Sequence, residues 1–170
     1  MLDDAAMVPA GLRHERFVLA PLTTATASLD YAAYLTSPDV IRTHSDGRWP
    51  VEGFTFSDDL ELVARHEDDH QSRRAFTFVL LSPSGTEALG CVYLNSLREY
   101  LLRVEAPRQL VDEWPLAAHA FRVLPGERSS CAALDRLGLR KLRLSFLGDE
   151  RPYLWYWRSI WQLSRGATES

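Results

Sequence analysis

Apolar residues crowd most densely between Ala75 and Asn95, in the stretch AFTFVLLSPSGTEALGCVYLN. Its first half, residues 76–81, is aromatic and β-branched, which predicts a buried strand. Ser82-Pro83-Ser84-Gly85 supplies turn chemistry: a proline with preset φ and a glycine free to take positive φ. Residues 88–94 form a second short apolar run. The pattern predicts a hairpin, and a hairpin this apolar has to be covered by other elements.

The flanking patterns supply the cover. Residues 17–19 read as a short strand stopped by Pro21. Thr23 or Thr24 caps a helix running to about residue 35, with Tyr31, Tyr34 and Leu35 on one face. Pro38 ends that helix, and residues 39–43 add another turn. Residues 44–50 read as a polar loop carrying Trp49. Thr55 and Asp58 match a capping box opening a helix to about residue 74, with Leu60, Val63 and Ala64 as its apolar stripe. Beyond the hairpin, residues 101–104 read as a short strand, 108–114 as a short helix and 117–124 as a strand. Ser129 or Ser130 opens a helix through Leu137, closed by Gly138. Two strands follow. In one, Leu142, Leu144 and Phe146 alternate with polar residues; the other is aromatic, over residues 152–158. The order predicts a mixed α/β layer fold, a sheet with helices on its faces.

Composition narrows the function. The chain has 170 residues, 46% hydrophobic and 25% charged, which suits a single globular domain with loose ends at 1–14 and 164–170. A net charge of −4 gives nucleic acid or an anionic membrane no electrostatic hold. No apolar run approaches a membrane span, and the first residues do not read as a signal peptide. Cys91 and Cys131 read as buried thiols rather than a disulfide, so a cytoplasmic protein acting on a small molecule is expected. The aromatic stripe Tyr153, Trp155, Trp157 suits either the core or a homodimer surface.

One motif is chemically suggestive. His66-Glu67-Asp68-Asp69-His70 has the H-E-x-x-H spacing of zinc peptidases, where two histidines one turn apart hold the metal and the glutamate is the base. Asp68 and Asp69 make the stretch polar, and no histidine follows closely as a third ligand. The expectation is an accidental match at an exposed helix end, with no metal; a zinc hydrolase stands as the distant alternative.

Several stretches resemble the GCN5-related N-acetyltransferase (GNAT) family. Phe17-Val18-Leu19-Ala20-Pro21-Leu22 is similar to the family's opening strand. Residues 76–95 are similar to its second and third strands. The segment 127–139 resembles its late helix, usually NxxSxxLxxxxGF, through Ser130, Gly138 and an aliphatic Leu139, with Glu127 where asparagine is usual. The resemblance implies a mixed, mostly antiparallel sheet flanked by helices. It also implies transfer of an acetyl group from acetyl-CoA to an amine of a small molecule or peptide, without a metal.

That reaction needs a base and an acid. Glu67 extends the apolar face of its helix and is the candidate base. Ser130 or Cys131 is the candidate acid, since the family's late-helix tyrosine is absent from Ala133-Leu134-Asp135. The loop residues His44, Asp46 and Trp49 fall where family members shape the acceptor pocket, and Trp49 can hold an amine by cation–π contact or pack as a lid. The family's Q/R-x-x-G-x-G/A loop, whose amides bind the pyrophosphate, has no counterpart between Asn95 and Pro115, where there is no glycine. The fourth strand reads as shortened. The remaining phosphate ligands are the backbone at Val104, Arg108, and Arg128, Ser129 and Ser130 at the late helix's start. A shortened, divergent member is expected, with a non-enzymatic GNAT-fold binding module as the alternative.

Overall fold

The computed structural model describes residues 8–45, 47, 49–103, 105–114, 119–123, 128–142 and 154–157. They form two compact units that meet in sequence between Tyr93 and Leu94.

In the first unit, β1 (Leu12–His14) pairs antiparallel with β2 (Phe17–Pro21), and β2 pairs antiparallel with β3 (Phe76–Leu81). Strand β4 (Ala88–Ser96) lies beside β3. The turn between them is closed by Ser82 N–H donating to the Glu87 carbonyl at 2.8 Å, with Gly85 at φ +76°. The loose lead-in thus ends earlier than its sequence suggests, because Leu12–His14 finds edge pairing on β2. Helix α1 (Ala27–Thr36) follows a 3-10 turn capped by Thr23, and Pro38 opens α2 (Pro38–His44). Helix α3 (Phe56–Gln71) begins at the expected capping box. There Thr55 N–H and Oγ1–H donate to Asp58 Oδ2 at 2.8 and 2.6 Å, and Asp58 N–H donates back at 3.3 Å. The core joins Leu22, Ala27, Val63, Val79, Leu81 and Ala88.

Two stripes differ from the pattern reading. On α1 the buried residues are Ala27 and Asp30, and Leu35 is 64% exposed. On α3 Val63 is fully buried as expected, but Leu60 and Ala64 are exposed. The face turned inward is instead Asp59, Val63, His66 and His70, spaced four, three and four as one helical stripe.

In the second unit, Asn95 and Ser96 at the end of β4 pair antiparallel with His119 and Ala120 of β5 (His119–Val123). Strand β5 pairs with β7 (Leu154–Trp157), and β7 with β6 (Arg140–Leu142). Residues 97–103 are helix α4 (Leu97–Arg103) rather than ending in a strand: Leu97, Tyr100 and Leu101 recur at helical spacing and are buried, while Leu102 faces outward. With Val111 of α5 (Arg108–Asp112) and Ala120 they form a second core. Helix α6 (Arg128–Arg136) ends as expected at Gly138. Gly138, at φ +72°, donates to Asp135 and Leu139 donates to Leu134, at 3.0 and 3.1 Å, a Schellman closure that favours glycine.

Candidate active site

The inward stripe of α3 carries charge into the first unit's core. Asp59 is 0% exposed, and neither of its carboxylate oxygens has a hydrogen-bond partner. Asp30 of α1, also buried, accepts a hydrogen bond from the Cys91 thiol of β4 at 3.1 Å. Burial pushes both carboxyls above the usual range, Asp59 to about 7, with the Asp30 charge adding to the effect at Asp59. Burial and the charge of Asp30 likewise raise the Cys91 thiol and the Tyr34 hydroxyl. Tyr93 is pushed well up by burial, then by the neighbouring Cys91. Asp30, Tyr34, Asp59, Cys91 and Tyr93 therefore form one polar cluster beneath α1 and α3.

The H-E-x-x-H residues point to the sheet rather than to solvent. His66 Nδ1 is 3.1 Å from Thr77 Oγ1, and His70 Nδ1 is 3.3 Å from the Thr77 carbonyl. The His66 ring lies 5.6 Å from Tyr93, and His70 lies 5.1 Å from both Phe76 and Phe78. Burial holds the His66 imidazole below its ordinary range, against the pull of Asp69. The exposed helix end expected from the acidic pair is corrected here: only Asp68 and Asp69 face outward, and both pair with Arg74. Among the described residues no group of three or more His, Cys, Asp or Glu side chains is arranged to hold a metal. Glu67 accepts the Thr24 amide at 2.8 Å, so it fastens α3 to the turn before α1.

Trp49 is half-buried and packs edge-on against Phe54 at 4.6 Å and Tyr34 at 6.3 Å; Tyr34 meets Phe54 at 5.5 Å. Its indole N–H faces the Tyr34 hydroxyl without closing a well-formed hydrogen bond. Asp46 lies outside the described residues; His44 is the last residue of α2.

Among the expected phosphate ligands, Arg128, Ser129 and Ser130 are the first three residues of α6, all exposed, with no acidic residue in that first turn. Arg108 opens the five-residue α5 and is 3.4 Å from Asp112 of its own helix. Val104 lies outside the described residues. Helices α4 and α5 are both short, and Glu105, between them in sequence, takes φ +53°. The strand–loop–helix unit of this half is instead β5 followed by α6, joined by Leu124-Pro125-Gly126-Glu127, whose structure is outside the described residues. The sequence reading found both elements, a strand over 117–124 and a helix opening at Ser129 or Ser130. It missed Asp30 and Asp59 altogether. The available signals were a lone acid in the apolar run 27–35 and an acid in register with Val63 and His66.

This architecture, a mostly antiparallel sheet flanked by helices, is the GNAT acyl-CoA N-acyltransferase fold. The chain is similar to the ribosomal-protein-S5-alanine acetyltransferase of Vibrio fischeri (TM-score 0.61, 14% identity, 89% of this chain and 97% of that one). It is similar to the microcin C7 self-immunity acetyltransferase MccE, solved with acetyl-CoA and AMP (0.58, 15%, 92% and 99%). A third is RimL, a ribosomal L7/L12 alpha-N-protein acetyltransferase solved with coenzyme A (0.60, 12%, 91% and 98%). At these identities the likeness establishes the fold alone. No family model matches the sequence, and no curated protein matches it.

Proposed function

We propose that the chain is an acyl-CoA-dependent N-acetyltransferase, one cytoplasmic GNAT-like domain that moves an acetyl group from acetyl-CoA to a primary amine of a small molecule or protein. The observation that carries this is the start of α6. Three consecutive exposed residues, Arg128, Ser129 and Ser130, open a nine-residue helix that has no acid in its first turn. Unpaired helix N–H groups, the helix dipole and a guanidinium fork suit a pyrophosphate. In the same fold, solved neighbours carry acetyl-CoA and coenzyme A. Arg108, engaged by Asp112, and the backbone at Val104 are secondary ligands in this reading.

In the transfer, the amine nitrogen attacks the thioester carbonyl, the C–N bond forms and the C–S bond breaks. The amine's proton goes to a base, and the departing thiolate takes one. Ser130, at the pyrophosphate in this reading, lies a pantetheine arm away from the thiolate, so the thiolate takes its proton from solvent. Glu67 is the proposed base; its Oε2 accepts the Thr24 amide and its carboxylate keeps further lone pairs for a proton. Trp49, with His44 and Asp46 in the same stretch, borders the acceptor.

A second reading, a non-enzymatic binding module, has one observation in its favour: the candidate base makes a structural hydrogen bond to the Thr24 amide that ties α3 to the turn before α1. Incubation with acetyl-CoA and a panel of amines, read by release of free thiol, tests the proposal. Amine-dependent thiol release is expected. Tight binding of acetyl-CoA with no thiol release from any amine would favour the module.

A further inference from the structure

Thr77 is where the end of α3 is fastened to the sheet. Its carbonyl accepts the Leu22 amide at 3.0 Å and faces His70 Nδ1 at 3.3 Å. Its hydroxyl is 3.1 Å from His66 Nδ1. Two imidazoles one turn apart thus reach the same residue of β3. A carbonyl only accepts, so His70 Nδ1 carries hydrogen and donates whatever the charge of its ring. His66 is different. Thr77 is 3% exposed, and among the described residues His66 is the partner of its hydroxyl. The neutral ring that accepts at Nδ1 satisfies the Thr77 proton. A protonated ring donates there instead, and the buried hydroxyl proton loses its acceptor.

The sheet offers an imidazolium no compensating charge. Strands β3 (FTFVLL) and β4 (ALGCVYLNS) contain no Asp, Glu, Lys or Arg. Tyr93 of β4 meets the His66 ring at 5.6 Å, and Phe76 and Phe78 of β3 flank His70 at 5.1 Å. The titratable groups of β4, Cys91 and Tyr93, are both pushed up by burial and stay neutral. The charges that act on His66 come from its own helix, Asp69 favouring the imidazolium and Arg65 opposing it. Asp69 is already paired with Arg74. From α1, Asp30 and Tyr34 are coupled to Asp59, about two turns nearer the start of α3. From the turn before α1, Thr24 is engaged by Glu67.

We propose that His66 and Thr77 form an acid-sensitive latch: the last two turns of α3 stay clamped to β3 while His66 is neutral and are released when it takes a proton. His70 is the pivot and His66 the trigger. Burial sets the trigger below 6.5, because it holds the imidazole under its ordinary value. The contribution of a depressed base is present above that value and lost as pH falls. Release carries Glu67 away from the Thr24 amide, so acid also displaces the proposed base. That consequence rests on the acetyltransferase reading; the release itself does not.

The test is hydrogen–deuterium exchange of the free chain at pH 8 and pH 5, with rates corrected for intrinsic exchange. Amides 66–75 should exchange about tenfold faster at pH 5, while those of α1 keep their protection. In His66→Asn the side-chain oxygen still accepts from Thr77 but takes no proton, and the difference should vanish. Thr77→Val is the second variant if His66→Asn fails to fold by circular dichroism; it should expose residues 66–75 at both pH values. No acceleration in the wild type, equal acceleration in His66→Asn, an undiminished pH difference in Thr77→Val, or equal loosening of α1 would each overturn the proposal. Neither acyl donor nor amine is present, so this failure is distinct from failure of the acetyltransferase reading, which thiol release reports.

Discussion

The Cys91 thiol of β4 donates to the Asp30 carboxylate of α1 across 3.1 Å, and Asp59 of α3 lies within electrostatic reach without a hydrogen bond of its own. A thiol is a weak donor, so this part of the core is held less firmly than its burial suggests and should respond to protonation.

Asp59 titrates near 7 in the folded chain against 3.8 when exposed. A raised acid contributes stability that is fully present below the unfolded value and is lost as pH rises through the folded one. His66, depressed by burial, acts oppositely, since its contribution is present above 6.5 and lost as pH falls. The two are separated by substitution. In urea unfolding at pH 5 and pH 8, Asp59→Asn should gain on the wild type as pH rises. An equal difference at both pH values would contradict the assignment.

The capping box at the start of α3 should be worth about 1 kcal/mol. Thr55 both donates to and accepts from Asp58. Thr55→Ala is expected to lower the urea midpoint by that amount with an unchanged slope; a midpoint within error of the wild type would show that water replaces the cap.

The register of α3 can be checked by a pair of truncations. Val63 is fully buried and Leu60 is 37% exposed. Val63→Ala should cost about 2 kcal/mol from lost burial and a residual cavity. Leu60→Ala should cost less than about 1 kcal/mol. Equal losses would mean that the apolar stripe read from the sequence is the buried one after all.

The histidines of the H-E-x-x-H match are engaged by Thr77 and by aromatic rings. Stoichiometric zinc should therefore leave the melting temperature unchanged, and the His66 imidazole should titrate below its ordinary range by NMR. A zinc-dependent rise in melting temperature that disappears in His66→Ala would restore the metal-site reading.

The elements set by local chemistry were legible in the sequence. The hairpin showed in its β-branched runs and Pro-Gly turn, α3 in Thr55 and Asp58, and the end of α6 in Gly138. What the pattern misjudged depends on tertiary partners. Leu35, Leu60 and Ala64 are apolar yet exposed, while Asp30 and Asp59 are charged yet buried, because the angle at which each helix meets the sheet decides its inward face. Residues 101–104 have strand-like composition in isolation, but Leu97, Tyr100 and Leu101 make a helical stripe that puts 101–103 in α4. Of the candidate site, Arg128, Ser129, Ser130 and Trp49 were visible as residues. The strand at 117–124 and the helix after it were legible too; that the strand pairs with the end of β4 and with β7 was not.

The central claim is that the first turn of α6 holds the phosphates of acetyl-CoA. Calorimetric titration of acetyl-CoA into wild type, Arg128→Ala and Arg108→Ala tests it most directly. Arg128 is exposed at the helix start, whereas Arg108 is engaged by Asp112. The account predicts saturable binding by the wild type, a loss of about tenfold in Arg128→Ala and a smaller loss in Arg108→Ala. No binding by the wild type, or binding that ignores Arg128 and depends on Arg108, would contradict it.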